Sequence, residues 1–174
     1  IKHPDHYSAH NNLGLLFLRQ AQFGQAEVQF KLACACSTQT AASFYNLALA
    51  YFRQKNDTQI ESLLNQALKL DPEHWASLSM LGQYYHTRGK ITLAKPLYEK
   101  ALSIHKEHGE TVHRLGCIAL AQDDSSQAIS HFKHALRINS DDQESRHNLG
   151  VIFLKQRDLE LALECFLHLA KPDH

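Results

Sequence analysis

The side chains best suited to chemistry in this chain are its four cysteines and thirteen histidines. Cys34 and Cys36 are two residues apart near a predicted helix end, and side chains at that spacing point to different faces. Cys117 and Cys165 lie in separate parts of the chain. Zinc sites need four converging ligands, usually as spaced pairs. We therefore expect neither a metal site nor a disulfide, and we predict buried or half-buried free thiols, which favour a reducing compartment such as the cytoplasm.

The histidines have helical spacing without the partners that metal binding or catalysis requires. His105 and His108 are three residues apart, as are His131 and His134, and each pair could share one helix face. No Cys, Asp or Glu completes either pair as a set of metal ligands. The chain also has no Ser-His-Asp order, no glycine-rich phosphate loop and no H-E-x-x-H motif. The sequence predicts surface histidines, no metal, no cofactor and no enzymatic activity.

The elements that must position these side chains repeat every 34 residues, counted from residues 7, 41, 75, 109 and 143. Each unit has a leucine followed by a small residue: Leu13-Gly14, Leu47-Ala48, Leu81-Gly82, Leu115-Gly116 and Leu149-Gly150. Each also has a large apolar residue further on: Phe30, Leu64, Tyr98, Phe132 and Phe166. Glycine inside a helix costs about 1 kcal/mol relative to alanine, so its recurrence at one phase predicts close helix approach. We expect each unit to be two antiparallel helices, packed small face against large face.

This pattern resembles the tetratricopeptide repeat family, down to the helix-ending Asp71-Pro72 of the second unit. The resemblance covers all five units. It implies an all-α fold, a right-handed superhelix (α-solenoid) of five antiparallel helix pairs. We expect a single array over residues 1–174, with repeats at 7–40, 41–74, 75–108, 109–142 and 143–174. Residues 1–6 would be the tail of a preceding repeat or a linker.

Charge and hydropathy exclude two classes of partner. Eighteen basic residues balance eighteen acidic ones, and the sequence pI is near 7.4. The chain therefore lacks the basic footprint of proteins that bind nucleic acid or anionic membranes. The longest apolar runs, 13–18 and 149–154, are too short to cross a bilayer. We expect a protein or peptide partner, no nucleic acid and no membrane insertion.

The resemblance also implies where a partner would bind. In this family the first helix of each repeat lines a concave face, and positions 2, 5, 6, 9, 12 and 13 of the repeat point into it. In this chain those positions are largely apolar, with some amide and basic groups. We predict a peptide-binding groove formed by Asn12, Leu15, Leu18, Arg19, Tyr45, Asn46, Leu49, Phe52, Arg53, Met80, Gln83, His113, Arg114, Leu120, His147, Asn148, Val151 and Lys155. The alternative is that the apolar members are buried internally or covered by flanking helices.

Two binding signatures of the family can be compared with these positions. Asn12, Asn46 and Asn148 share position 6, similar to the asparagine ladder of the O-linked N-acetylglucosamine transferases, and their amides could hold a peptide backbone. Met80 and Arg114 interrupt that row. The carboxylate clamp of heat-shock chaperone partners is absent, because other residues replace its lysines and asparagines, namely Tyr45, Leu49, Met80 and Glu110.

The predicted function is a non-catalytic protein-protein interaction scaffold. It would bind a peptide or amphipathic helix of a partner in an apolar, weakly basic concave groove. The alternative is the recruiting or targeting region of a larger enzyme, such as a glycosyltransferase or methyltransferase, with catalysis outside this segment. A further hypothesis is self-association through uncapped terminal helices, with Leu161 and Leu163 on the exposed face.

Overall fold

A computed structural model describes residues 6–36 and 39–170 of the chain. These residues form ten α-helices and no strand, so the predicted all-α fold class is confirmed. The helices are α1 (Tyr7–Arg19), α2 (Phe23–Ala35), α3 (Ala41–Arg53), α4 (Ile60–Leu70), α5 (Trp75–His86), α6 (Ile91–Ile104), α7 (Gly109–Ala121), α8 (Ser125–Ile138), α9 (Gln143–Lys155) and α10 (Leu159–Leu169). No helix among the described residues is long and apolar enough to span a membrane.

The odd-numbered helices begin at the 34-residue interval of the sequence repeat. The chain divides into two compact units, residues 1–97 and 98–174, and the division lies inside α6. In the first unit α1 packs on α2, α2 on α3, α3 on α4 and α4 on α5. In the second unit α7 packs on α8, α8 on α9 and α9 on α10. The single array and its repeat boundaries stay predictions, and residues 1–5, 37–38 and 171–174 of those ranges lie outside the described residues.

The predicted contact between small and large residues is present in both units. A Cβ atom added to Gly14 would lie 2.5 Å from the Phe30 ring, and one added to Gly116 would lie 2.7 Å from the Phe132 ring. Both rings are fully buried and belong to the core cluster of their own unit. Because a real Cβ does not approach a ring this closely, glycine is what allows each helix pair to pack at this distance.

One backbone feature recurs in the turn between the two helices of each pair. A single residue there has a left-handed φ of 57° to 72°: Ala21, Lys55, Gly89, Asp123 or Arg157. The following N–H closes the first helix, as when Gln22 N–H donates to the Phe17 carbonyl over 2.9 Å. This is the Schellman arrangement, in which glycine is the residue best suited to the left-handed position. Only one of the five turns has a glycine there.

Side-chain caps start most of the first helices. At α9 Asp142 accepts a backbone N–H, the usual role of aspartate at this position. At α5 and α7 the cap is instead a histidine. The Nδ1 atom of His74 accepts the Ser77 N–H over 3.3 Å, and that of His108 accepts the Thr111 N–H over 3.4 Å. Both rings must be unprotonated at Nδ1 to accept, and burial lowers the pKa of each imidazole.

Candidate peptide-binding site

The first unit contains a cavity between α1 and α3, two of the helices predicted to line the groove. Its volume is about 430 Å³. It is lined by Leu15, Leu18, Arg19, Ala21, Phe23, Leu49 and Arg53. Five of these were predicted as groove residues, so the structure brings positions 9, 12 and 13 of neighbouring repeats to one place. We call this the first-unit cavity.

The first-unit cavity combines an apolar lining with a basic edge. Leu15, Leu18 and Leu49 are half-buried and pack partly against the core of the unit. Arg19 and Arg53 are exposed, and no carboxylate of the described residues lies within ion-pair distance of either guanidinium. The apolar side chains therefore contact both the core and the cavity. The two positive charges lie beside them, and none of the carboxylates in residues 6–36 and 39–170 pairs with either.

The asparagine row differs in detail from its sequence pattern. Asn46 is only 7% exposed, and its Nδ2 donates to Oδ1 of Asn11 over 2.8 Å. Asn12, the predicted neighbour in the row, is exposed one residue further along α1. The amide of Asn46 on α3 thus bonds to a side chain of α1. Backbone capture by the asparagine row stays a prediction.

Four further predicted groove residues of the first unit lie outside this cavity. The Tyr45 ring packs edge-on against the ring of His74, with centroids 5.5 Å apart. Phe52 is half-buried against the core, and Met80 is 7% exposed within it. Gln83 is half-buried. These side chains contribute packing in the structure, and their contact with a partner stays a prediction.

The second unit contains a larger cavity of about 560 Å³ between α7 and α9. It is lined by His113, Arg114, Cys117, Gln143, Glu144, His147, Asn148 and Leu169. An adjoining cavity of about 340 Å³ is lined by Gly109, Glu110, His113, Arg114, Asn139, Asp142 and Glu144. Four predicted groove residues meet in the larger cavity, at positions 5 and 6 of two successive repeats. Six of its eight lining residues are polar or charged, against two of seven in the first-unit cavity.

His113 is the central group of this polar region. It is 6% exposed, with Nδ1 2.8 Å from the Ser145 hydroxyl and Nε2 3.3 Å from the Cys117 sulfur. Burial lowers the pKa of the imidazole, although Asp142 and Glu144 act in the opposite direction. Burial also raises the pKa of the Cys117 thiol. Both groups are therefore neutral at pH 7.

A neutral His113 beside a neutral Cys117 differs from the imidazolium-thiolate pair that activates a cysteine nucleophile. The surrounding carboxylates do not complete a metal site either. Across residues 6–36 and 39–170, no group of three or more His, Cys, Asp or Glu is arranged to hold a metal ion. The hydrogen bonds of this region connect the buried His113 ring to Ser145 and Cys117.

The remaining predicted residues of the second unit vary in exposure. Leu120 and Val151 are half-buried, and Leu120 packs against the core cluster. Lys155 and His147 are exposed, and the His147 ring lies 6.0 Å from that of Phe166. Asn148 is half-buried, with Nδ2 4.0 Å from the Cys117 sulfur.

Sequence reasoning missed several cavity-lining residues. Ala21 and Phe23 reach the first-unit cavity because the turn after α1 folds back over the helix end, which the left-handed φ of Ala21 sets. Leu169 reaches the larger cavity from the last turn of α10. The positional rule of the family covers first helices only. No signal in the residue types placed these turn and second-helix residues in the groove.

Comparisons with known proteins agree with this architecture. Family models described as tetratricopeptide repeat match residues 39–107 and 113–173, together about three quarters of the chain. PilF of Pseudomonas aeruginosa is similar over 97% of this chain and 78% of that chain, with a TM-score of 0.84 and 19% identity. MamA of Desulfovibrio magneticus RS-1 is similar over 94% of this chain and 93% of that chain, with a TM-score of 0.77 and 17% identity.

At these identities the structural likeness shows the fold alone. No curated protein matches the sequence significantly. The family matches, the 34-residue interval of the helices and the small-to-large packing agree with one another. The chain belongs to the tetratricopeptide repeat family, whose helical repeats form protein-protein interaction scaffolds.

Proposed function

We propose that this chain is a non-catalytic scaffold that binds a peptide or amphipathic helix of a partner protein in its apolar, weakly basic groove. One observation carries the proposal. The first-unit cavity is lined by leucines that are only half-buried, on the helices that the family uses for binding. An apolar cavity with a few polar groups is the usual form of a binding site.

The energetics favour capture of apolar anchors. Burying one leucine- or phenylalanine-sized side chain of a partner contributes about 1.5–3 kcal/mol. Leu15, Leu18 and Leu49 pack partly on the core, so they are already held in place before a partner arrives. A preformed surface loses little side-chain entropy on binding, which leaves more of the burial energy as affinity.

The chemistry of the second unit supports a scaffold better than an enzyme. A cysteine nucleophile needs a low thiol pKa beside a charged histidine, whereas burial shifts Cys117 and His113 the opposite way. If this segment is instead the recruiting region of a larger enzyme, the same groove would do the recruiting. Both roles require the first-unit cavity to accept a peptide.

The test is to select peptides from a phage-displayed random 16-residue library on the purified chain and measure their affinities by fluorescence anisotropy. Leu49→Trp, with Leu18→Trp as a second variant, should place an indole ring in part of the cavity and weaken binding at least tenfold. Val28→Trp is the control, since Val28 is 54% exposed on α2 and does not line the cavity. All variants should keep the wild-type circular dichroism spectrum at the temperature of the binding assay. Selected peptides that bind Leu49→Trp and Leu18→Trp as tightly as the native chain would contradict the proposal.

Self-association is a second candidate, favoured by a comparison between equivalent positions. Leu13 and Leu16 of α1 are 39% and 52% exposed, while Leu149 and Ile152 at the same places in α9 are 3% and 1% exposed. In α9 those two side chains belong to the core cluster of the second unit, and α9 packs on α8. The uncovered face of α1 could therefore take the exposed leucines of α10 from a second copy.

The exposed leucines of α10 include both residues predicted for this role, Leu161 at 37% and Leu163 at 57%. Sedimentation velocity should then show a mass that rises with concentration. The rise should vanish in Leu16→Glu and in Leu163→Glu. A constant monomer mass at all concentrations would rule self-association out.

A further inference from the structure

The two units differ in the charge that they present beside their cavities. In the first unit Arg19 and Arg53 line the cavity, and none of its lining residues is acidic. In the second unit the 340 Å³ cavity has three carboxylates, Glu110, Asp142 and Glu144, against one arginine. Burial keeps His113 uncharged there. An acidic ligand is thus attracted by the first-unit cavity and repelled by this 340 Å³ cavity.

The first-unit cavity has room for a bulky anchor. A cavity of about 150 Å³ is enough to hold a benzene ring. At about 430 Å³, the first-unit cavity can take a phenylalanine or leucine side chain together with part of a neighbouring residue. The half-buried faces of Leu15, Leu18 and Leu49 provide the apolar contact.

The two arginines lie on neighbouring helices, within reach of a pair of carboxylates. They occupy the same repeat position on α1 and α3, which pack against one another. Axes of packed helices are about 8–10 Å apart. Carboxylates two residues apart on an extended segment are about 7 Å apart, and those one helical turn apart are about 5–6 Å apart. Long, flexible arginine side chains can adjust to either spacing.

In the part of the chain that the structure describes, no carboxylate forms an ion pair with either guanidinium. An arginine can bind a carboxylate through two parallel N–H donors, which adds direction as well as attraction. Such a pair at the rim of an apolar cavity would select acidic residues next to the apolar anchor of the ligand.

We infer that the first-unit cavity binds an acidic segment of a partner protein, with one bulky apolar side chain in the cavity and two nearby carboxylates on Arg19 and Arg53. This inference rests on the proposed peptide-binding function and narrows it to one class of ligand. It also assigns that ligand to the first unit, because the carboxylates of the second unit oppose it.

The test uses three labelled peptides that share one Leu-Phe anchor and differ only in two flanking residues, which are Glu, Gln or Lys. The native chain should bind the Glu peptide most tightly and the Lys peptide least, with roughly tenfold between them at low salt. The difference should shrink as salt is raised. Arg19→Glu combined with Arg53→Glu should reverse the order.

The control is Lys69→Glu combined with Lys100→Glu, which makes the same change of net charge at exposed positions outside the cavity. It should keep the native order. If the three peptides bind equally, or if the order survives Arg19→Glu with Arg53→Glu, the inference is wrong. In that case the proposed function still stands if the native chain binds the Gln peptide and Leu49→Trp abolishes this binding. Failure of all three peptides to bind would contradict both.

Discussion

Replacing Gly116 with alanine should destabilise the chain, against the expectation from helix propensity. Alanine inside a helix is favoured over glycine by about 1 kcal/mol. The new Cβ, however, would lie 2.7 Å, 2.9 Å and 3.0 Å from three atoms of the Phe132 ring. Phe132 is fully buried, so the ring cannot move without disturbing its neighbours. Such overpacking costs about 3 kcal/mol, which leaves a net loss of about 2 kcal/mol.

Gly24 offers a matched control, because a Cβ added there meets no atom within 4 Å. Gly24→Ala should stabilise α2 by about 0.5 kcal/mol. The second repeat suggests a substitution that should rescue Gly116→Ala. It has Ala48 at the position equivalent to Gly116 and Leu64 at the position equivalent to Phe132. Phe132→Leu should therefore recover much of the loss caused by Gly116→Ala, although each change alone is destabilising.

Urea unfolding followed by circular dichroism measures the free energy of unfolding of four variants: Gly116→Ala, Gly24→Ala, Phe132→Leu and the double variant Gly116→Ala with Phe132→Leu. A loss of about 2 kcal/mol corresponds to a fall of about 4–8 °C in melting temperature for a chain of this length. The coupling in the double-mutant cycle should be at least about 1 kcal/mol. If Gly116→Ala stabilises the chain as Gly24→Ala does, the helices of that pair do not pack on a glycine, and the account of the repeat is refuted.

Two further predictions concern the turns and the helix caps. Ala21→Gly should raise the free energy of unfolding by about 1 kcal/mol, because its φ of 57° is left-handed, and Gly89→Ala should lower it by a similar amount, both measured by urea unfolding. The histidine caps His74 and His108 have pKa values below that of an unfolded histidine. The unfolded chain therefore binds more protons than the folded chain below about pH 6.5. The free energy of unfolding should fall as the pH drops from about 7 to about 5. Aspartate at both positions, as in the Asp142 cap of α9, should make that fall shallower in urea titrations at each pH; an unchanged slope would show that the caps do not titrate.

The helix pairs could be predicted from the sequence because their packing depends on residue size. Gly14 and Gly116 recur at one phase, the rings of Phe30 and Phe132 recur at another, and the structure places each glycine against its ring. The left-handed turn residues were not predictable in the same way. Ala21 is not a residue type that favours a left-handed φ, and it adopts one because the helix packing on either side requires the turn.

The candidate site was predicted in part. The family rule found Leu15, Leu49 and Arg53, which the structure brings to one cavity. It gave no indication that Asn46 bonds to Asn11. Such pairings depend on the exact offset of neighbouring helices, and a sequence pattern read one repeat at a time does not contain that offset.

The half-buried leucines of α1 and α3 are predicted to be open to a bound peptide. Methyl-labelled protein mixed with the selected peptide gives the most direct measurement, through nuclear Overhauser effects between the two. We predict contacts from the peptide to the methyl groups of Leu15, Leu18 and Leu49. Contacts confined to exposed leucines elsewhere, such as Leu163, with none to these three, would contradict the claim.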